Sequence, residues 1–116
     1  MIDLGCSIGG DTRHLANQAP TIGLDRDALR LRLARANLTA TLGWFPATFI
    51  LADLHAPLPV SLDHESAFFF DPARRKAGKR AFSVHEYSPP LSVATGWLSR
   101  FQAGAVKLSP GVDLAE

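Results

Sequence analysis

Short apolar runs that end at an acidic residue or at a glycine turn recur along this chain. The first run begins at Met1 and breaks into a turn that contains Gly5, Gly9 and Gly10. An apolar strand that ends in glycines and then opens a helix is the way in which open α/β sheets bring backbone N–H groups to a ligand. The sequence therefore predicts a ligand site at its first turn.

Apolar runs without polar alternation are typical of strands that are buried on both faces, as they are in parallel sheets. Helix-like stretches separate these runs, and right-handed crossovers convert such an alternation into a parallel sheet covered by helices. In such a sheet, ligands bind outside the carboxyl ends of the strands. The predicted strands span residues 1–4, 21–25, 48–53, 67–71 and 105–109.

Three helices are predicted between the strands. A short one covers residues 11–17, where Asp11 is expected to cap the first turn, and a longer one covers residues 27–38. Ser88 is expected to cap a third helix, which two prolines open. Residues 54–63 contain two prolines and are predicted to be loop with a short turn. The expected buried stripes are Leu29, Leu33 and Ala36, with Leu31, Ala34 and Leu38 beside them, in the second helix, and Leu91, Ala94, Leu98 and Phe101 in the third.

The composition is that of an ordinary globular protein. The chain has 116 residues, of which 47% are hydrophobic, and its formal net charge is +1. This balance excludes disorder and nucleic-acid binding by bulk charge. The single Cys6 cannot form an internal disulfide, and no leader or long apolar run is present, so we expect no membrane segment and a cytoplasmic location. The four histidines lack metal-ligand spacing, and no metal site is predicted.

These observations predict one α/β domain over residues 1–116. We expect a three-layer sandwich with a mostly parallel, Rossmann-like sheet of about five strands. Every strand end in such a sheet needs a chemical interpretation.

The residues at these strand ends resemble the motif series of class I S-adenosylmethionine-dependent methyltransferases. The segment from Asp3 through Gly5, Cys6 and Ser7 to Gly9 is similar to the first motif, an acidic residue followed by a glycine-rich turn. The resemblance implies S-adenosyl-L-methionine as the cofactor, with Asp3 helping to hold its ammonium group. Ser7 stands where the family usually has its middle glycine.

The next two strand ends extend the resemblance. Asp25 lies 22 positions after Asp3 (25 minus 3), followed by Arg26, and a carboxylate at this place can accept both hydroxyl hydrogens of a ribose. By resemblance Asp25 is the ribose-binding acid. Asp53 is similar to the residue that hydrogen-bonds the adenine amino group, and Leu54 would offer apolar surface to the ring.

Two rival interpretations use the same residues. A nicotinamide-binding Rossmann domain also places an acid about 20 residues after a glycine turn, but its fingerprint is G-x-G-x-x-G and the glycines here are Gly5, Gly9 and Gly10. Residues 5–9 also match the G-x-S-x-G nucleophile elbow of hydrolases, which needs a late histidine, whereas the last histidine, His85, precedes the final strand. The methyl donor remains the favoured ligand.

The fourth predicted strand leads into the expected reaction side. Asp71 and Pro72 resemble the Asp-Pro-Pro signatures of enzymes that methylate nucleobases, in which the Asp accepts hydrogens from an amino group. The continuation through Ala73, Arg74 and Arg75 is closer to a group of predicted bacterial methyltransferases that carry an RNA-binding-like appendage. The resemblance implies catalytic roles for Asp71, Pro72 and Arg74, or a pairing of Arg74 with Asp71 that fixes its orientation.

A cluster of basic residues follows. Five of the 12 lysines and arginines fall within seven positions, and aromatic residues come directly after them. A basic loop beside the active-site strand can grip phosphates and stack a base, while the alternative is a solvated loop with hydrophobic anchors. RNA is the expected partner. The cluster comprises Arg74, Arg75, Lys76, Lys79 and Arg80, and the aromatic residues are Phe82, His85 and Tyr87.

The resemblance also implies which further elements a complete methyltransferase domain would contain. Family members usually continue past the fifth strand into an antiparallel pair and place helices before the glycine strand. We therefore expect a truncated domain whose sheet is completed by flanking segments or by a partner chain. Two alternatives stay open: a methyltransferase-like module that binds cofactor or RNA without catalysis, and a structural remnant whose glycine turn binds nothing.

Overall fold

The computed structural model of the protein describes residues 1–44, 47–62, 65–73, 75–76, 79–80, 83–113 and 115. Five strands form one sheet, in which each neighbouring pair is parallel. Two further short strands pair antiparallel as a hairpin. In chain order the strands are β1 (Ile2–Leu4), β2 (Thr21–Asp25), β3 (Ala47–Leu51), β4 (Ala67–Phe70), β5 (Arg75–Lys76), β6 (Lys79–Arg80) and β7 (Ala103–Val106).

The order of strands across the sheet is β3-β2-β1-β4-β7. The direction in which the chain adds strands reverses between β1 and β4, and the crevice at such a switch point is where open α/β sheets bind ligands. The predicted α/β class with a Rossmann-like sheet is confirmed, and the described sheet is entirely parallel. The turn after β1 and the residues after β4 therefore flank the same crevice.

In the described part of the chain, three α-helices accompany the sheet: α1 (Thr12–Ala16), α2 (Ala28–Leu42) and α3 (Leu91–Thr95). Helix α2 begins where the sequence predicts, because the Asp27 carboxylate accepts hydrogen bonds from the first free N–H groups of the helix, those of Leu29 at 2.9 Å and Arg30 at 3.2 Å. It extends one turn beyond the predicted end and stops at Gly43, whose φ of 70° lies in the left-handed region.

The buried face of α2 is the second of the two predicted stripes. Leu29 and Leu33 are 63% and 46% exposed, so the first stripe was placed wrongly. Leucines and alanines lie all round this helix, and periodicity alone cannot choose among them. The buried face of α2 is the one that packs against Gly9 in the first turn. Because Gly9 has no β-carbon, Ala34 and Leu38 can approach it closely.

The two faces of the sheet carry separate apolar clusters. Alternate residues of a strand point to opposite faces, so Leu24 joins the cluster beneath α3 while Gly23 faces Phe49 on the side of α2. Phe68 and Phe70 make edge-to-face contacts with Trp97, which is buried in this cluster. Helices thus cover both faces, as a three-layer arrangement requires.

Several predicted details at the helix ends are wrong. The Asp11 side chain makes no capping hydrogen bond, because Asp11 itself has helical dihedral angles. Ser88 does not cap α3 either, since its backbone pairs with Ala73 and Pro90 takes the N-cap position. Helix α3 ends at Thr95, so Leu98 falls outside it and is 58% exposed.

The strand bounds also shift. Strand β3 begins one residue before its predicted start and ends two residues before its predicted end. Strand β7 begins two residues and ends three residues earlier than predicted. As a result Asp53 and Lys107 stand in the turns beyond their strands. Within the described part of the chain, no helix has both the length and the apolar character that crossing a membrane would require.

Candidate functional site

A cavity of about 640 Å³ opens at the carboxyl ends of the parallel strands. Its volume is in the range of small-molecule sites. The turns after β1, β2, β3 and β4 all contribute to its wall, so most residues that the sequence assigns to cofactor and reaction lie together. The predicted residues in the wall are Gly5, Ser7, Asp25, Arg26, Asp53, Leu54, Asp71 and Pro72.

The first turn uses its backbone N–H groups internally. Gly5 and Cys6 donate to the carbonyl oxygen of Leu24 at 2.8 and 2.9 Å, and Gly9 donates to the carbonyl of Cys6 at 2.9 Å. These bonds tie β1 to β2 and close the turn. These three N–H groups are therefore engaged within the protein, and ligand binding at this turn, which brings Gly5 and Ser7 to the cavity wall, stays a prediction.

Ser7 occupies the left-handed region with a φ of 50°. This conformation explains why related turns use glycine at the same place, since a side chain there costs about 1–2 kcal/mol. The Ser7 N–H donates to Oδ2 of Asp25 at 2.9 Å. The turn is thus held to the end of β2 by a carboxylate.

Asp25 is buried at the end of β2 and receives a second backbone hydrogen bond, from the N–H of Asp27 to Oδ1 at 2.9 Å. A carboxylate has about four lone-pair sites, so each oxygen retains acceptor capacity toward the cavity. The sequence predicted a carboxylate here for ligand hydroxyls. The structure adds that the same group fixes the first turn and the start of α2.

Asp53 lies two residues beyond the end of β3 and forms part of the cavity wall. Its Oδ1 accepts from the backbone N–H of His55 at 3.0 Å, and His55 Nδ1 lies 2.9 Å from the same oxygen. The backbone hydrogen bond from His55 is the main cause that lowers the pKa of Asp53, followed by the bond from the His55 ring. Asp53 is accordingly an ionised acceptor at neutral pH.

Asp3 is buried beneath the turn and accepts a hydrogen bond from the hydroxyl of Thr12 on α1. Burial raises the pKa of Asp3 from its ordinary value of 3.8 to about 6, the Thr12 bond lowers it, and the charges of Asp11, Asp71 and Asp25 add to the rise. Asp3 does not form part of the cavity wall. Asp3 could therefore interact with a ligand in the cavity only through groups that lie between them.

The raised pKa of Asp3 predicts an unusual pH dependence of stability. Between pH 3.8 and about 6 the folded chain binds more protons at this residue than the unfolded chain does, so the free energy of unfolding falls as pH rises through this window. We expect the free energy of unfolding of Asp3→Asn to depend less steeply on pH, with a difference from wild type of about 1–2 kcal/mol accumulating between pH 5 and pH 7.

Urea unfolding of both proteins at pH 5 and pH 7 measures this difference. Asparagine keeps an acceptor for Thr12, which makes it a suitable isostere. Parallel pH profiles for the two proteins would contradict the assignment.

Two other residues of the predicted cofactor set lie outside the wall. Cys6 is buried, and burial, together with the charges of Asp3 and Asp25, raises the pKa of its thiol, so Cys6 stays protonated and unreactive. Gly9 faces α2, where a β-carbon would lie 2.9 Å from Leu38 Cδ1. Its function is to allow close packing of the helix and the turn.

The reaction side is built around an ion pair. Lys107 Nζ lies 2.9 Å from Oδ2 of Asp71 and 3.9 Å from Oδ2 of Asp11. The Lys107 N–H also donates to the carbonyl oxygen of Phe70 at 2.9 Å, which fixes the start of this side chain beside the end of β4. Lys107 thus forms an ion pair with Asp71 at the end of β4.

The basic cluster is carried by the β5–β6 hairpin. Arg74 lies outside the described residues, and Arg75, Lys79 and Arg80 are described through their backbone only. Ala73 and Ser88 exchange both backbone hydrogen bonds, at 3.1 and 3.0 Å, where the segment leaves and rejoins the cavity wall.

Of the aromatic residues that follow the cluster, Phe82 lies outside the described residues. Tyr87 is buried, and its hydroxyl oxygen accepts from the N–H of Ser109 at 3.1 Å. Tyr87 is thus an anchor of the segment and not a platform for a base.

Sequence reasoning assigned no site role to seven residues of the cavity wall: Arg30, Ala52, His55, Phe70, Ala73, Ser88 and Pro89. His55 had a usable signal, because a residue two positions after an Asp commonly donates its N–H to that side chain. Arg30 is exposed, and it also contributes to the cavity wall from the first turn of α2. Its neighbour Asp27 lies 3.7 Å away.

Across the described portions of the chain, no group of three or more His, Cys, Asp and Glu side chains could hold a metal ion.

The chain is similar in sequence to proteins that are named as methyltransferases. Two strains of Mycobacterium tuberculosis each have a protein named an uncharacterized S-adenosylmethionine-dependent methyltransferase that is 37% identical to the chain over 119 aligned positions, which cover 98% of the chain. The chain spans 30% of the length of these relatives. No protein-family model matches the chain.

Solved structures agree with these names at the level of the fold. The bifunctional kinase-methyltransferase WbdD superposes with a TM-score of 0.58 at 21% identity, covering 93% of this chain and 23% of WbdD. The plantazolicin methyltransferase BpumL, solved with S-adenosyl-L-homocysteine, gives 0.57 at 16% identity, covering 86% of this chain and 34% of BpumL. The fold is that of the class I S-adenosylmethionine-dependent methyltransferases. The chain is thus similar to these methyltransferases in sequence and in fold, while the nucleic-acid motif remains a resemblance.

Proposed function

We propose that this chain supplies the cofactor site and part of the reaction site of an S-adenosylmethionine-dependent methyltransferase. The observation that carries the proposal is the single cavity that gathers Asp25, Asp53 and Asp71 from three different strand ends. The methyltransferase fold and the names of the relatives support it. Because the chain spans 30% of those relatives, the activity is proposed for the protein that contains this core.

The residues present fit the cofactor. S-adenosylmethionine carries a sulfonium and an ammonium group, and the three carboxylates of the wall outnumber its two arginines, Arg26 and Arg30. Asp25 would accept the ribose hydroxyls, Asp53 would accept the adenine amino group, and Leu54 would contact the ring. A dinucleotide pyrophosphate would instead meet these carboxylates as like charges, which disfavours the nicotinamide alternative.

On the reaction side, Asp71 would accept hydrogens from the acceptor molecule and orient its lone pair. Lys107 holds Oδ2 of Asp71, and the buried Pro72 shapes the wall next to it. The bound cofactor supplies an electrophilic methyl group, and transfer is an in-line displacement in which positioning can provide much of the rate. Arg74 remains a proposed neighbour of Asp71.

Calorimetric titration tests the cofactor assignment. We expect S-adenosylmethionine and S-adenosyl-L-homocysteine to bind, and NAD to give no heat at the same concentrations. Circular dichroism of the same sample establishes that it is folded. A folded sample that binds neither adenosyl compound would contradict the proposal, and one that binds only NAD would favour a nicotinamide site.

We further propose that the acceptor molecule is nucleic acid, with RNA as the expected class. The β5–β6 register pairs Arg75 with Arg80 and Lys76 with Lys79. Like charges directly opposite each other destabilise a strand pair, and a polyanion relieves that repulsion. The hairpin leaves the wall beside Asp71 and Pro72, so a strand held on it would lie near the reaction side.

Replacing Arg75, Lys79 and Arg80 together by alanine tests this proposal. Loss of three phosphate contacts is expected to reduce the slope of log affinity against log salt for single-stranded RNA by about 2 and to weaken binding at low salt. The matched control removes three exposed arginines elsewhere, Arg13, Arg32 and Arg100. Equal losses in both variants would show that bulk charge, and not the hairpin, binds the RNA.

A further inference from the structure

The carboxylate of Asp53 is held by one neighbouring residue through two separate groups. Both the backbone N–H and the ring Nδ1 of His55 contact the same oxygen, Oδ1, at 3.0 and 2.9 Å. A carboxylate accepts but does not donate, so the ring contact requires a proton on Nδ1. Two bonds to one oxygen fix both the rotation of the Asp53 side chain and the tautomer of His55.

This arrangement leaves the two oxygens of Asp53 unequal. Oδ1 is occupied by His55, whereas Oδ2 receives no hydrogen bond from the residues that the structure describes. Both Asp53 and His55 belong to the cavity wall, next to Leu54. An exposed aspartate without such a restraint samples several rotamers, and ordering it on binding costs free energy.

We propose that His55 is a positioning residue that holds Asp53 so that Oδ2 is a preset acceptor for the exocyclic amino group of a purine. The proposal rests on the proposed function, and it adds a residue that determines which base the cavity takes. A 6-amino purine donates a hydrogen to a carboxylate. A 6-oxo purine presents another acceptor at this position and leaves the carboxylate oxygen without a hydrogen bond. Asp53, held by His55, therefore discriminates adenine from hypoxanthine.

The test compares S-adenosyl-L-homocysteine with S-inosyl-L-homocysteine, which differs from it at the purine 6-position and in the adjacent ring nitrogen. Calorimetry gives the ratio of the two affinities for wild type, His55→Ala and His55→Asn. We expect His55→Ala to lower the ratio about three- to tenfold, chiefly by weakening the adenosyl ligand. Asparagine can place an N–H near the position of Nδ1, and we expect it to restore most of the ratio.

His14→Ala is the matched control, since His14 is an exposed histidine outside the wall, and its ratio should equal that of wild type. An unchanged ratio in His55→Ala overturns the proposal, even if both ligands bind more weakly. A wild-type protein that binds both ligands equally well overturns it too. Failure of the wild type to bind the adenosyl ligand at all would instead count against the cofactor site itself.

Discussion

Replacement of Asp25 by alanine is expected to weaken binding of S-adenosyl-L-homocysteine roughly 100-fold or more. Two effects combine, because the variant loses the acceptor for the ribose hydroxyls and also releases the first turn. The N–H groups of Ser7 and Asp27 both donate to this carboxylate at 2.9 Å. A hydrogen bond to a charged group contributes about 1.5–3 kcal/mol, so loss of two ligand contacts alone reaches this magnitude.

Two further variants separate these effects. Asp25→Asn keeps the shape but replaces one oxygen with a donor, which conflicts with either Ser7 or Asp27, and an intermediate loss of affinity is expected. Asp27→Ala removes the cap of α2 and should cost about 1 kcal/mol of stability while changing affinity less than about twofold. Calorimetry with urea unfolding of each variant measures both quantities. Affinity for S-adenosyl-L-homocysteine that survives in Asp25→Ala would refute the ribose assignment.

Gly9→Ala is expected to destabilise the fold by about 2–5 kcal/mol. Gly9 has a φ of 86°, where a side chain costs about 1–2 kcal/mol, and its β-carbon would lie 2.9 Å from Leu38 Cδ1 and 3.2 Å from both Cα and Cβ of Ala34. Overpacking of this kind typically costs a further 1–3 kcal/mol, because a helix backbone must shift.

The neighbouring glycine provides the control. A β-carbon on Gly10 would have no atom within 4 Å, and Gly10 does not have a positive φ. Gly10→Ala should therefore change the free energy of unfolding by less than about 0.5 kcal/mol. Urea unfolding of the two variants gives the comparison, and equal stabilities would show that α2 does not pack against the turn as described.

Local signals explain what the sequence predicted well. The bounds of β2 are as predicted, because an uninterrupted apolar run ends at an aspartate that the fold uses. The start of α2 was also predicted, since its cap is formed by the adjacent Asp27. The wall residues Asp25, Asp53 and Asp71 follow from the rule that parallel strands present their carboxyl ends at one edge.

Tertiary contacts explain what the sequence could not provide. The face of α2 is selected by Gly9, which lies two elements earlier in the chain. Lys107 meets Asp71 across 36 positions (107 minus 71), and no local pattern specifies such a partner. The N–H groups of the first turn are used by Leu24 and Asp25 of the neighbouring strand. Glycine spacing alone predicted the turn but not the groups it would leave for a ligand.

The pairing of Ala73 with Ser88 has a consequence for how this architecture can diversify. Because the two residues share both backbone hydrogen bonds, the segment between them leaves and returns at one point of the wall. The closure entropy of a loop grows only slowly with its length, so such a segment can be exchanged for a longer or shorter one at small thermodynamic cost. Asp25 and Asp53 lie on other turns and would keep their positions. Under the proposed function, exchange of this one segment would change the contacts with the acceptor molecule and leave the cofactor side of the wall unchanged.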